Sequence, residues 1–137
     1  MLERLAQLER NVAALESFRR DHGMEEVSNT ITLQWTLRYG LIESIQIVID
    51  TACHVCNDKN LGTPKNYGDC GLFLVQFGYL DRSLSAPILS MIGLRNPLIH
   101  EYVTIDVKKL FSFLDELDVF RSYAAAIKSA LGGVRGR

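Results

Sequence analysis

Between Ser28 and Asn57 the chain contains one glycine, Gly40, and no proline. Nothing strong punctuates a helix there, and Ser28, Asn29 or Thr30 is suited to capping its start. Ile31, Trp35, Ile42, Ile45, Ile49 and Ala52 make one apolar stripe along it, and Leu33, Leu37, Leu41, Val48 and Val55 make a second beside the first. A helix with two such stripes has to be covered from two sides. It is therefore expected inside a helical bundle or against a second subunit.

The remaining segments follow the same periodicity. Leu5, Leu8, Val12, Leu15 and Phe18 form the apolar face of a first helix, which is expected to close near His22 with Gly23 in the left-handed conformation. After the loop containing Gly62 and Pro64, Tyr67 to Tyr79 reads as a shorter helix weakened by Gly68, Gly71 and Gly78. Asp81 or Ser83 starts a further helix with Leu84, Ile88, Met91 and Ile92 on its core face and Pro87 tolerated in its first turn. Thr104 or Asp106 caps a last helix through Val107, Leu110, Leu114, Leu117 and Phe120, with Tyr123 and Ile127 as its continuation. No β-strand alternation is present, so the fold class is all-α, an up-and-down bundle of four to five helices. The 137 residues fit one domain over 1–130, with a flexible tail at 131–137.

Composition narrows the function. Fifteen Lys+Arg against 16 Asp+Glu leave a formal charge of −1, so no global positive field attracts nucleic acid and any RNA contact has to be local. The opening MLERLAQLER interrupts each apolar cluster with charge, unlike a signal peptide, and no stretch approaches the roughly 18 uncharged apolar residues of a membrane span. A cytoplasmic protein without membrane contact is expected. Cys53, Cys56 and Cys70 are an odd set in such a chain and read as buried free thiols rather than as a disulfide framework. Cys53-His54-Val55-Cys56 resembles half a zinc knuckle but lacks its second ligand pair, so neither metal nor cofactor is expected.

Two patterns carry chemistry. On the long helix Tyr39, Glu43, Gln46, Asp50 and His54 recur every three or four residues and line one side, either as a solvated face or as the wall of a groove. The second pattern is Arg95-Asn96-Pro97-Leu98-Ile99-His100-Glu101-Tyr102. Five positions on an unbroken helix turn through about 140°, which separates Arg95 from His100. Pro97 is expected to kink the chain between them and turn both side chains into one crevice. A guanidinium that grips phosphate beside an imidazole that moves protons near neutral pH suits metal-independent phosphodiester cleavage, with the RNA 2′-hydroxyl as nucleophile.

The string Arg-Asn-x3-His-x-Tyr resembles the signature of HepT, the HEPN-domain member of MNT/HEPN toxin–antitoxin pairs. The likeness extends to ERL in the first helix, to Glu43, Asp50 and His54, to Pro64…Tyr67-Gly68-Asp69, to Met91-Ile92-Gly93-Leu94-Arg95-Asn96, and to Tyr102…Ile105-Asp106. It implies a symmetric homodimer with an endoribonuclease site in its groove. In it Arg95 and His100 are catalytic, and Asn96, Glu43, Asp50 and His54 are supporting. It also implies a type VII-like pair in which a nucleotidyltransferase antitoxin silences the toxin by transferring AMP to Tyr102. The cysteines and the Gly-Gly-Val-Arg-Gly-Arg tail depart from the family pattern. Two other readings remain open: a non-catalytic docking and AMP-acceptor subunit of a nucleotidyltransferase, and a structural helical dimer in which His100 only caps a helix.

Overall fold

The computed structural model describes residues 1–100 and 106–132. Helix α1 spans Leu2–Asp21 and buries Leu5, Leu8, Val12, Leu15 and Phe18, the stripe expected from its spacing. Its closure differs from expectation. His22 is extended, its N–H reaching the Phe18 carbonyl, and Gly23 stays at φ −85°, because the chain enters another helix at once instead of folding back. That helix, α2 (Met24–Asn29), has six residues and one buried side chain, Val27.

Helix α3 runs over Ile31–Asp58 and packs against α1 and α2 and against five helices that follow it. It buries Leu37, Leu41, Ile45, Val48, Ile49, Ala52 and Val55. The approach of α1 is close at Gly40, where a Cβ would come within 3.0 Å of Leu15 Cδ2. The amino-terminal end of α3 is not covered, since Ile31 and Trp35 are 60% and 61% exposed. Leu72 of the next helix and Phe77 just beyond it are also exposed.

Asn66 caps α4 (Tyr67–Gln76) by accepting a hydrogen bond from the Asp69 N–H. Cys53 of α3 and Cys70 of α4 form a disulfide with a Cα–Cα distance of 5.1 Å, which corrects the expectation of free thiols. The packing of α3 on α4 supplies the proximity that linear spacing does not show. Cys56 is free and buried; its Sγ donates to the Cys70 carbonyl at 3.1 Å, and burial pushes the thiol up to about 11. With a sequence separation of 17, reduction is expected to cost about 3 kcal/mol of stability. The urea midpoint should fall on adding a dithiol, and in Cys70→Ser it should be low with or without one.

Asp81 caps a 3-10 turn, Arg82–Leu84, that leads into α5 (Ser85–Gly93), where Pro87 is the third helical residue and Ile88, Met91 and Ile92 are buried. The chain breaks at Leu94 and resumes as α6 (Arg95–His100). Asp106 caps α7 (Val107–Ser112), a 3-10 turn follows at Phe113–Glu116, and α8 covers Leu117–Leu131. The last helix is therefore interrupted. The tighter turn places Leu114 and Leu117, three residues apart, on the same core-facing side.

The class is an all-α bundle, as expected, but the described residues hold eight α-helices rather than four or five, because α2 is an additional short helix, the fourth expected helix breaks into α5 and α6, and the last into α7 and α8. One apolar core runs from Leu5 of α1 to Ile127 of α8. Tyr123 lies fully buried within it, with its hydroxyl 2.7 Å from Thr51 Oγ1 and donating to the Val48 carbonyl at 3.0 Å. No described helix is long and apolar enough to cross a membrane. Tyr102, Thr104 and residues 133–137 of the tail lie outside the described residues.

Candidate active site

The site forms where α6 lies against the middle of α3. Arg95 is the first residue of α6 and half-buried, whereas His100 is its last and exposed. The expected kink between them is absent. Pro97 is the third residue of α6, within the first turn, where backbone N–H groups lack intrahelical acceptors and a proline forfeits nothing. The helix closes normally around it, with the Leu98 N–H reaching the Leu94 carbonyl at 3.0 Å. Arg95 and His100 consequently project from one continuous helix about 140° apart, so a crevice shared within one chain is not formed by a bend at Pro97.

Arg95 is held from several sides. Its Nε donates to Gln46 Oε1 at 2.6 Å and its Nη1 donates to Asn96 Oδ1 at 3.1 Å. Its Cζ lies 5.6 Å from the centroid of the Tyr67 ring on α4, a cation–π contact. Asn96 is exposed. Gln46 passes the contact on, its Nε2 donating to Asp50 Oδ1 at 2.8 Å, while Asp50 Oδ2 accepts from Arg4 of α1 at 2.6 Å. The carboxylate expected to line a groove is thus paired and joins α1 to the Arg95 network.

Glu43 occupies the next stretch of the same face. It accepts from Asn11 Nδ2 at 2.9 Å and from the Tyr39 hydroxyl at 2.8 Å. The Tyr39 bond first, and Asn11 second, hold its carboxyl below the ordinary carboxylate range, and Glu43 in return raises the Tyr39 phenol. A carboxylate held ionised in this way is a weak base at neutral pH. The sign for stability follows. A depressed folded pKa contributes stability that is complete above the unfolded pKa and is lost as pH falls through the folded one. Glu43→Gln is therefore expected to lose less stability than the parent on acidification below about pH 4, as read by melting temperature across an acid series.

His54 is exposed one turn beyond Asp50, and its side chain makes no hydrogen bond or ion pair with the described residues. The structure does not bring it to Arg95. Arg38 Nη1 donates to the Leu98 carbonyl at 3.5 Å, which ties the amino-terminal half of α3 to α6. Close by, α1 and α3 flank an open cleft of about 680 Å³ lined by Phe18, Trp35, Tyr39 and Glu43. That cleft contains neither Arg95 nor His100, so volume alone does not locate the chemistry. Arg95, Asn96 and the polar face of α3 stood out in the sequence as a motif and a stripe; Arg4 and Tyr67 figured only in the ERL and Tyr67-Gly68-Asp69 segments of the family likeness, without the contacts to Asp50 and Arg95 that packing gives them.

The family model described as "Ribonuclease HepT-like" matches residues 8–127. The mRNA nuclease HepT of Shewanella oneidensis is 23% identical over 130 residues, covering 94% of this chain and 96% of that protein. Among solved structures, the tri-AMPylated Shewanella oneidensis HEPN toxin in complex with MNT antitoxin matches with a TM-score of 0.84 at 23% identity, over 93% of this chain and 95% of that one. The cytosolic protein YutE of Bacillus subtilis, of unknown function, matches with a TM-score of 0.83 at 17% identity, over 96% and 87%. At these identities the structural matches establish the fold, a HEPN-like helical bundle.

Proposed function

The chain belongs to the ribonuclease HepT-like family, and we propose that it is the ribonuclease toxin of an MNT/HEPN toxin–antitoxin pair. In this reading it cleaves RNA without a metal, and Arg95 and His100 are the catalytic residues. The observation that carries the proposal is the tethering of Arg95. Two of its five N–H groups are used by Gln46 and Asn96, and its Nη2 edge has no partner among the described residues. The three N–H groups that remain can donate to phosphate oxygens.

In the reaction the His100 imidazole takes the proton of the 2′-hydroxyl, and O2′ attacks the adjacent phosphorus. The bond to O5′ breaks, and the departing oxygen takes a proton from solvent. The products carry a 2′,3′-cyclic phosphate and a 5′-hydroxyl. Arg95 stabilises the charge that builds on the non-bridging oxygens.

A symmetric homodimer resolves the divergence of the two side chains along α6. Two such helices facing each other across a two-fold axis can set Arg95 of one protomer beside His100 of the other. Exposed Ile31 and Trp35, close in sequence to the Arg38 tie with α6, offer apolar surface for such an association. Regulation falls on Tyr102, two residues beyond His100. The antitoxin, a nucleotidyltransferase, joins the tyrosine oxygen to the α-phosphorus of ATP and releases pyrophosphate. The AMP adds bulk and negative charge beside the cationic site.

The net charge of −1 favours a second reading, a docking and acceptor subunit without turnover. Purified protein freed of its partner is expected to cleave RNA in the presence of EDTA, and to arrest growth when expressed alone. Harmless expression together with uncut RNA would favour the docking subunit.

A further inference from the structure

We infer that Gln46 is the positioning residue of Arg95, fixing the guanidinium so that its outer edge meets a phosphate of the substrate. The identity of that phosphate rests on the ribonuclease reading; the contact itself does not. A glutamine amide can face either way unless both of its ends are constrained. Here they are. Gln46 Nε2 donates to Asp50 Oδ1 at 2.8 Å, and an ionised carboxylate only accepts, so the nitrogen end is assigned to Asp50 and Oε1 turns to Arg95 Nε at 2.6 Å. Asp50 is in turn anchored by Arg4 at 2.6 Å. Helix α1 thereby sets α3, and α3 sets the first side chain of α6.

The geometry also selects which hydrogens stay available. With Nε engaged, the side-on pair of donors is closed to a ligand, and both hydrogens of Nη2 and the second hydrogen of Nη1 are what remains. Tyr67 beneath the cation limits rotation out of that orientation.

The neutrality of Gln46 matters as much as its reach. A carboxylate there would offer Nε the same acceptor but would place a negative charge against the guanidinium, weakening its pull on phosphate and facing Asp50 with like charge. Glutamine orients the cation and leaves its charge for the ligand.

Two substitutions in the full chain test this with a short RNA under turnover conditions. Gln46→Met keeps length and helix propensity but removes the acceptor, and kcat is expected to fall about tenfold or more with little change in KM. Gln46→Glu keeps the acceptor and spoils the charge, so KM is expected to rise about tenfold, more than kcat falls. Solvent exchange of the Arg95 Nε–H, followed by NMR, should quicken in Gln46→Met while the melting temperature holds. Wild-type kcat in Gln46→Met, or wild-type KM in Gln46→Glu, would overturn the assignment. Should the parent protein cleave no RNA, the ribonuclease reading fails separately, and the exchange rate alone decides: faster in Gln46→Met supports the positioning role, unchanged overturns it.

Discussion

Arg95→Ala should cleave RNA roughly 10²- to 10³-fold more slowly than the parent protein, since one preorganised donor set aimed at a developing oxyanion contributes about that much. His100→Ala should lose a comparable factor through the missing proton transfer, about 10²- to 10⁴-fold. Neither change should move the melting temperature far. His100 is exposed, where substitutions usually cost under about 0.5 kcal/mol, and Arg95, half-buried and bonded to Gln46, should cost somewhat more, on the order of 1 kcal/mol. Arg95→Lys separates two explanations of the loss. Lysine restores charge but not the planar fork, so activity recovered only in part points to orientation, while full recovery points to charge alone. EDTA should change none of these rates. Equal cleavage by parent, Arg95→Ala and His100→Ala protein would remove the site from the reaction altogether.

Much of the scaffold is readable because helical periodicity is a local property. The stripe Leu5-Leu8-Val12-Leu15-Phe18 and the burial of Leu37, Ile45, Val48 and Ala52 need only a period of 3.6 residues and a side to hide. Asp81 and Asp106 cap as expected, since each has a carboxylate within reach of the N–H two residues on. Helix α2 was not legible, because six residues with one buried valine hold too little pattern. Pro97 misled for a related reason. A proline breaks a helix interior but suits a first turn, and which case applies depends on the break at Leu94, set by how α5 and α6 each seat on α3.

The site divides along the same line. Arg95, Asn96 and His100 lie within six positions and are recognisable as a motif. Gln46 was visible only as a member of the polar face of α3, 49 positions from the arginine it contacts. Tyr67 stood in the family likeness and at a helix start, but nothing in the sequence placed its ring beside Arg95. The Cys53–Cys70 bond likewise follows from how α3 meets α4, for which spacing is no guide.

Mixing two inactive proteins should restore activity. Because α6 runs unbroken from Arg95 to His100, the two side chains diverge within a chain, and a working centre in the proposed dimer pairs the arginine of one copy with the histidine of the other. Each dimer then holds two centres. In a heterodimer of Arg95→Ala with His100→Ala, one centre carries both defects and the other carries neither. Free exchange of subunits makes about half of the dimers mixed, each with one intact centre, so the mixture should approach roughly a quarter of parental activity. If each centre instead drew both residues from a single chain, every centre in the mixture would stay defective and no activity would appear. Gel filtration of the parent supplies the companion measurement. A monomer that nevertheless cleaves RNA would defeat the composite site, because a single chain would then supply both groups.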